Sequence, residues 1–420
     1  MKKVLIIAHD FYRKEIISSI RVQGLANYLP EFGWEPVILT SESYRNQYLN
    51  NFKLIEIPYV NYKLDEYNKY YKKFGIYYRL FNRFWNELFA EPYDYYIDWL
   101  NPVLDQLQFV FQNEHFDAII STSPPETAHI IANNFKKIFD IPWIADLRDL
   151  WTGNHYYGYL WFRKIRERKL ERETFAYANA MITVSEPLVK KLQELHPKKN
   201  IYCIPNGFDP ILKCSNNTPT EKFSITYTGK IMSGILKKYR NPEPLFKAIK
   251  ELIDHNLLDP NQISIDFFGS SPSWLKKEII KFQLEEIVKI HGVISREDSI
   301  IKQRKSQILL LLTWNNPHEE GVLTGKIFDY FAAQRPILSI GHSGGIISKI
   351  LKTTQAGMHM SKHEDIKNQI LHYYQEFLQQ GFISYCGIQS EIDKYSHREM
   401  AGKFAQILNI VSEEKMIFKS

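Results

Sequence analysis

Short β-rich apolar runs alternate with longer amphipathic stretches along this chain, and the alternation runs through twice. In the first pass Val4–Ala8 reads as a strand, the stretch around Arg21–Leu29 as a helix and Pro36–Thr40 as a second strand. Ala118–Ser121, Trp143–Ala145, Ala180–Val184 and Ile201–Ile204 read as further strands, with helices at Thr127–Phe139 and Trp161–Ala178 and another between the last two strands. Such alternation builds a mostly parallel sheet with helices on both faces, because each crossover must return the chain to the edge where it began. The pattern restarts near residue 223, with strands at Ser224–Thr228, Ile263–Phe268, Ile287–His291, Ile308–Leu312 and Pro336–Ile340. Its helices fall at Pro242–Ile253, Ser273–Phe282, Thr324–Ala333 and Asp365–Gln380. Pro205–Thr220, rich in Pro, Asn and Ser, has linker chemistry. The expected class is α/β, with tandem domains at 1–207 and 208–395 and a final helix in 396–420.

Length agrees with this reading, since 420 residues at roughly 100–200 per domain give two or three cores. No apolar run reaches the ~18–20 residues that span a bilayer. The opening MKKVLIIAHD imitates a secretory leader, but its apolar run is only Val4–Ala8 before His9 and Asp10, so a first strand is the better reading. The cysteines Cys203, Cys214 and Cys386 are far apart without C-x-x-C spacing, which excludes a disulfide scaffold and a cysteine-built zinc site and fits a reducing, cytoplasmic setting. The net charge of +6 comes without a long Lys/Arg block. An anionic small molecule or a membrane surface accounts for it, and no nucleic-acid partner is expected.

Residues 61–89 break the pattern. Aromatics such as Tyr67, Phe74, Tyr77, Phe81 and Trp85 are interleaved with Lys69, Lys72, Lys73, Arg79 and Arg83. Rings and cations together suit a lipid headgroup interface; the alternative is a helical hairpin packed on the first domain.

In open α/β sheets ligands bind beyond the carboxyl ends of the strands, so candidate residues should follow strands. After Ile308–Leu312 come Glu319, Glu320 and Gly321, and then Thr324, Gly325 and Lys326 open a helix that carries Asp329. Free N–H groups and the positive dipole at a helix start hold phosphate. A P-loop is absent, as is G-x-S-x-G. His129 and His155 lack a partner at metal-ligand spacing, so no metal site is expected.

These segments resemble the GT-B glycosyltransferases, specifically the family 4-like group. Ile141–Trp151 (IPWIADLRDLW) is similar to that group's PxxxDxRDxW block, and Ala180–Asp209 carries MITVSEPL and IPNGFD. SITYTGK at 224–230, HGVISRE at 291–297 and GKIFDYFAAQRP at 325–336 follow in the family's order. The resemblance covers nearly the whole chain apart from 61–89. It implies two Rossmann-like domains facing across a cleft, with the C-terminal helix returning to the first. It also implies transfer of a sugar from a nucleotide-sugar to an acceptor hydroxyl, with retention and without a metal or other cofactor.

Carried over by position, Gly229 and Lys230 fall at the basic loop under the donor diphosphate, with Lys238 or Arg240 as a second cation. Val293 and Ile294 fall at the base-contacting stretch. Glu319 or Glu320 would hold sugar hydroxyls, while Gly321, Thr324, Gly325 and Lys326 lie at the diphosphate and Asp329 at the ribose. On the acceptor side, Arg148 and Asp149 stand where a His is common and are counted with Lys230, Glu319 and Glu320 as catalytic; Asp146 and Arg21 line the same side. A structural ion pair at the strand end is the alternative for Asp146, Arg148 and Asp149, and a helix-surface arginine for Arg21. Glu320 and Asp329 are nine positions apart, one more than the family's E-x7-E, and the second acid is Asp. The implied acceptors are glycans or lipid-linked glycans of surface polysaccharide such as capsule or lipopolysaccharide, met at the inner face of the membrane. A GT-B nucleotide-sugar 2-epimerase and a non-catalytic GT-B subunit that binds a partner transferase remain the alternatives.

Overall fold

The computed structural model describes the chain except for residues 13–16, 42–51, 62–68, 70–71, 74, 76, 78–80, 82–93, 113, 155–159, 214–217, 232–239, 315–320 and 418–420. It divides into two compact units, Met1–Asn206 with His397–Ser420, and Gly207–Ser396.

The strands of unit 1 are β1 Lys2–Ile7, β2 Trp34–Thr40, β3 Lys53–Glu56, β4 Ala118–Ser123, β5 Trp143–Leu147, β6 Ala180–Thr183 and β7 Ile201–Cys203. They form one sheet in the order β3-β2-β1-β4-β5-β6-β7, parallel throughout. β1, β4 and β5 are buried along both faces, which is why they read as unbroken apolar runs. Successive side chains still alternate: Leu5 and Ile7 join the core with Trp99, Phe135, Trp143 and Phe175, while Val4 and Ile6 join the core with Val22, Leu25, Ile144 and Phe404.

Among the described residues the helices of eight or more residues are α1 Ile17–Tyr28, α2 Thr127–Phe139, α3 Trp161–Phe175, α4 Glu186–Leu195, α5 Glu243–Asp254, α6 Ser273–Lys281, α7 Arg296–Lys305, α8 Lys326–Ala333, α9 Gly345–Thr354, α10 His363–Gln380 and α11 His397–Ile417. The C-terminal α11 lies against α1. Ala401, Phe404 and Leu408 share a core with Val22 and Leu25, and a Cβ on Gly24 would come 2.6 Å from the His397 ring. The Trp34 indole N–H donates to Asn409 at 3.2 Å.

Unit 2 holds β8 Phe223–Thr228, β9 Ile263–Phe268, β10 Val288–Gly292, β11 Ile308–Leu312, β12 Ile337–Ile340 and β13 Gly357–Met360. Their order is β10-β9-β8-β11-β12-β13, again all parallel. In each unit the first strand is central and the order reverses beside it, between β1 and β4 and between β8 and β11, which is the switch point where such sheets receive ligands.

Four of the elements named above have no counterpart in the sequence reading. β3 and β13 are four-residue edge strands (KLIE and GMHM) without the long apolar run of a central strand. α7 buries only Gln303, so it lacks apolar periodicity. α9 follows two adjacent glycines, a sequence that reads as loop.

Candidate functional site

In unit 2 the strands β8, β9 and β10 each end on a glycine in the left-handed region: Gly229 (φ 101), Gly269 (φ 124) and Gly292 (φ 79). The turns interlock. The Gly229 N–H donates to the Phe268 carbonyl at 2.7 Å, and the Gly269 N–H to the Gly292 carbonyl at 2.5 Å. A Cβ on Gly269 would lie 2.5 Å from the Gly229 carbonyl oxygen, so Gly269 tolerates no side chain. A Cβ on Gly229 would meet Lys326, 2.7 Å from Cε and 2.8 Å from Nζ. The Lys326 ammonium therefore lies over bare backbone at the switch point, 5.3 Å from the Tyr227 ring centroid. Among the described residues no carboxylate pairs with it, since the acid one turn along α8, Asp329, accepts from Arg296 at 2.8 Å. Burial, helped by the charge of Arg240 and opposed by Asp329, lowers the Lys326 pKa to about 7.

Lys230 is exposed. Its carbonyl accepts from the Tyr227 hydroxyl at 3.0 Å and from Arg240 Nη1 at 3.4 Å. The Arg240 Nε is buried and lacks an acceptor among the described residues. Gly229, Lys230, Arg240 and Lys326 are thus gathered at one end of β8. Val293 and Ile294 follow β10, with Val293 80% exposed. Glu319, Glu320 and Lys238 lie outside the described residues, as does His155.

Beside this cluster a cavity of about 190 Å³ opens over the ends of β11 and β12. Its lining includes Arg240, Thr324, Trp314, His342, Gly344 and His359. Gly344 and Gly345 both have positive φ, and Gly344 caps α9 without a side chain, so backbone N–H groups can approach a ligand closely. His359 bridges Ser339 (Nδ1 to Oγ, 2.9 Å) and the His342 carbonyl (Nε2, 2.8 Å). A carbonyl only accepts, so Nε2 carries the proton and Nδ1 accepts from Ser339. Burial lowers the His359 pKa, which keeps this neutral form and fixes the loop. Trp314, His342, Gly344, Gly345, His359 and Arg296 were not found by sequence reasoning; the adjacent glycines after β12 were the available signal.

In unit 1 two residues read as acceptor-side, Arg21 and Asp146, form a buried ion pair. Arg21 and Asp146 face each other and are almost fully buried. Arg21 Nη2 and Nε donate to the two Asp146 oxygens at 2.8 and 2.9 Å. Further donations reach the Pro205 carbonyl at 2.8 Å and the Ile204 carbonyl at 3.1 Å, and Thr122 donates to Asp146 at 2.9 Å. The pair ties α1 and β5 to the chain after β7 and leaves little capacity for a ligand. Arg148 is a separate group at the end of β5. It is largely buried, donates to the Pro124 carbonyl at 3.0 Å, and is held below the usual guanidinium range by burial. Asp149 beside it is exposed. Glu126, which sequence reasoning missed, is buried near Asp94; burial and that neighbour hold its carboxyl well above the usual range. His129 is a core residue bonded to Ser121 at 2.7 Å, and burial lowers its pKa to about 3.

One trio among the described residues, Glu251, His363 and Glu364, brings metal-ligand atoms together. Its members come from two distant segments, which sequence spacing cannot reveal. Lys367 lies 3.3 Å from Glu251 and 2.7 Å from Glu364, so the trio is part of an ion-pair network on α5 and α10.

Residues 18–211 match the family described as Glycosyltransferase Family 4. Solved structures resemble the whole chain. HepE from Anabaena, in complex with UDP and glucose, superposes with a TM-score of 0.64 at 12% identity, covering 97% of this chain and 100% of that one. The fold is GT-B. Sucrose-phosphate synthase from Thermosynechococcus elongatus gives 0.63 at 12% identity, with both chains covered completely. The lipopolysaccharide outer core galactosyltransferase WaaB gives 0.58 at 12%, covering 99% and 100%. No curated protein sequence matches the chain. Residues 18–211 are thus similar to family 4 glycosyltransferases, and the chain shares the GT-B fold along its length.

Proposed function

We propose that the protein transfers a glycosyl group from a nucleotide-sugar to an acceptor hydroxyl. The observation that carries this reading is the Lys326 ammonium seated over Gly229, with Arg240 alongside, at the switch point of unit 2. Such a cluster answers a diphosphate, whose charge grows as the bond from the anomeric carbon to the phosphate oxygen breaks. The acceptor oxygen forms the new bond to that carbon, with retention, and its proton passes to the departing diphosphate. The nucleoside would extend toward Val293 and Ile294, and the sugar toward the cavity at Trp314 and Gly344. The UDP-glucose complex of HepE supports a nucleotide-sugar donor, and WaaB supports a surface-glycan acceptor.

We place the reaction in the synthesis of surface polysaccharide, on a glycan or lipid-linked glycan at the inner face of the membrane. Among the described residues no helix is long and apolar enough to cross a bilayer. The insert 61–89, proposed for peripheral contact, lies mostly outside the described residues; Tyr77 and Phe81 within it are exposed.

The lowered pKa of Lys326 gives a test. Bound diphosphate favours the charged amine and raises its pKa above the free value of about 7. Binding is then strongest below pH 7 and weakens as pH rises from there toward the bound-state pKa. Calorimetry of UDP binding at pH 8 in buffers of different ionisation enthalpy should show uptake of close to one proton, lost in Lys326→Met. Binding without proton uptake would remove Lys326 from the diphosphate.

A further inference from the structure

We propose that the outward face of α3 docks unit 1 on an anionic lipid surface. The helix is built inside out. Trp161 and Ile165 are 76% and 60% exposed, whereas Arg163, Glu167 and Glu171 are fully buried. Its inner side is pinned by polar bonds: Arg163 pairs with Glu167, the Trp151 indole N–H donates to Glu167 at 2.8 Å, and the Thr152 N–H donates to Glu171 at 3.1 Å. The helix cannot roll to hide its apolar residues without breaking these bonds.

At about 3.6 residues per turn, Trp161, Ile165, Arg168, Lys169 and Arg172 share roughly 100° of arc. That face holds three cations and no acid. Glu173, paired with Lys169 at 3.8 Å, lies at its margin, and Leu160, also exposed, precedes it. A single exposed tryptophan needs no explanation. Apolar side chains turned outward among cations, on a helix that buries two of its three acids, do, and the charge complement is an anionic headgroup layer with Trp161 at the acyl boundary. A protein partner would also cover Trp161 and Ile165, but it would not require a row of three cations beside them.

The test uses the full chain and vesicles of phosphatidylcholine, with and without phosphatidylglycerol. The wild type should sediment with the anionic vesicles and little with the neutral ones. Replacing Arg168, Lys169 and Arg172 by Gln should weaken partitioning roughly fivefold per cation, on the order of a hundredfold together. Trp161→Ser with Ile165→Ser should weaken it as well. All five side chains are exposed, so the melting temperature should hold, and donor turnover, which none of them serves, should persist. Failure of the wild type to bind anionic vesicles, or unchanged binding by both variants, would overturn the proposal. So would self-association that Trp161→Ser with Ile165→Ser abolishes, because the face would then be a protein interface.

Discussion

Lys326→Ala should lower kcat/KM by about 10²–10³, the loss expected when one preorganised donor to a developing oxyanion is removed, ~2.7–4 kcal/mol. Most of the loss should appear in kcat, because the charge it answers grows toward the transition state. Lys326 is partly buried and fixed above Gly229, so its charge acts at short range with little solvent screening. Lys230→Ala should cost about tenfold or less, since that side chain is exposed and water screens it. Steady-state kinetics of both variants decide the ranking. A larger loss at Lys230 would place the diphosphate on the outer side of the turn.

Asp146→Asn should destabilise unit 1 by about 3–5 kcal/mol, because it leaves the buried Arg21 guanidinium without its counter-charge. For a unit of this size that corresponds to a fall in melting temperature of roughly 6–20 °C. The double variant Arg21→Met, Asp146→Leu should recover part of the loss, as apolar replacements of a buried pair often do. Scanning calorimetry measures both. Unchanged melting of Asp146→Asn, with activity lost, would return the pair to the acceptor side.

The buried strands were legible because central parallel strands are continuous apolar runs: Ile263–Phe268 and Ile308–Leu312 stand where they were read. Gly229 and Lys326, proposed for the donor side, were legible one by one from their places after strands, and the fold brings them together. What escaped depends on three-dimensional pairing. Arg21 and Asp146 are 125 positions apart, and no local pattern announces that α1 and β5 share an ion pair. His359 serves the cavity through Ser339 and the His342 carbonyl, from an edge strand without an apolar signature. α3 was legible as a charged helix, but not the side it turns outward, because Arg163 and Glu167 satisfy each other only once folded.

The reaction itself is tested most directly by incubating the protein with a panel of nucleotide-sugars and following free nucleoside diphosphate, free sugar and epimeric donor by chromatography. Slow release of nucleoside diphosphate with free sugar is expected from one donor or a small group of donors, with near-complete loss of that release in Lys326→Ala. Interconversion of the donor sugar without release would mark an epimerase, and no turnover of any donor together with no nucleotide binding would contradict a catalytic donor site on unit 2.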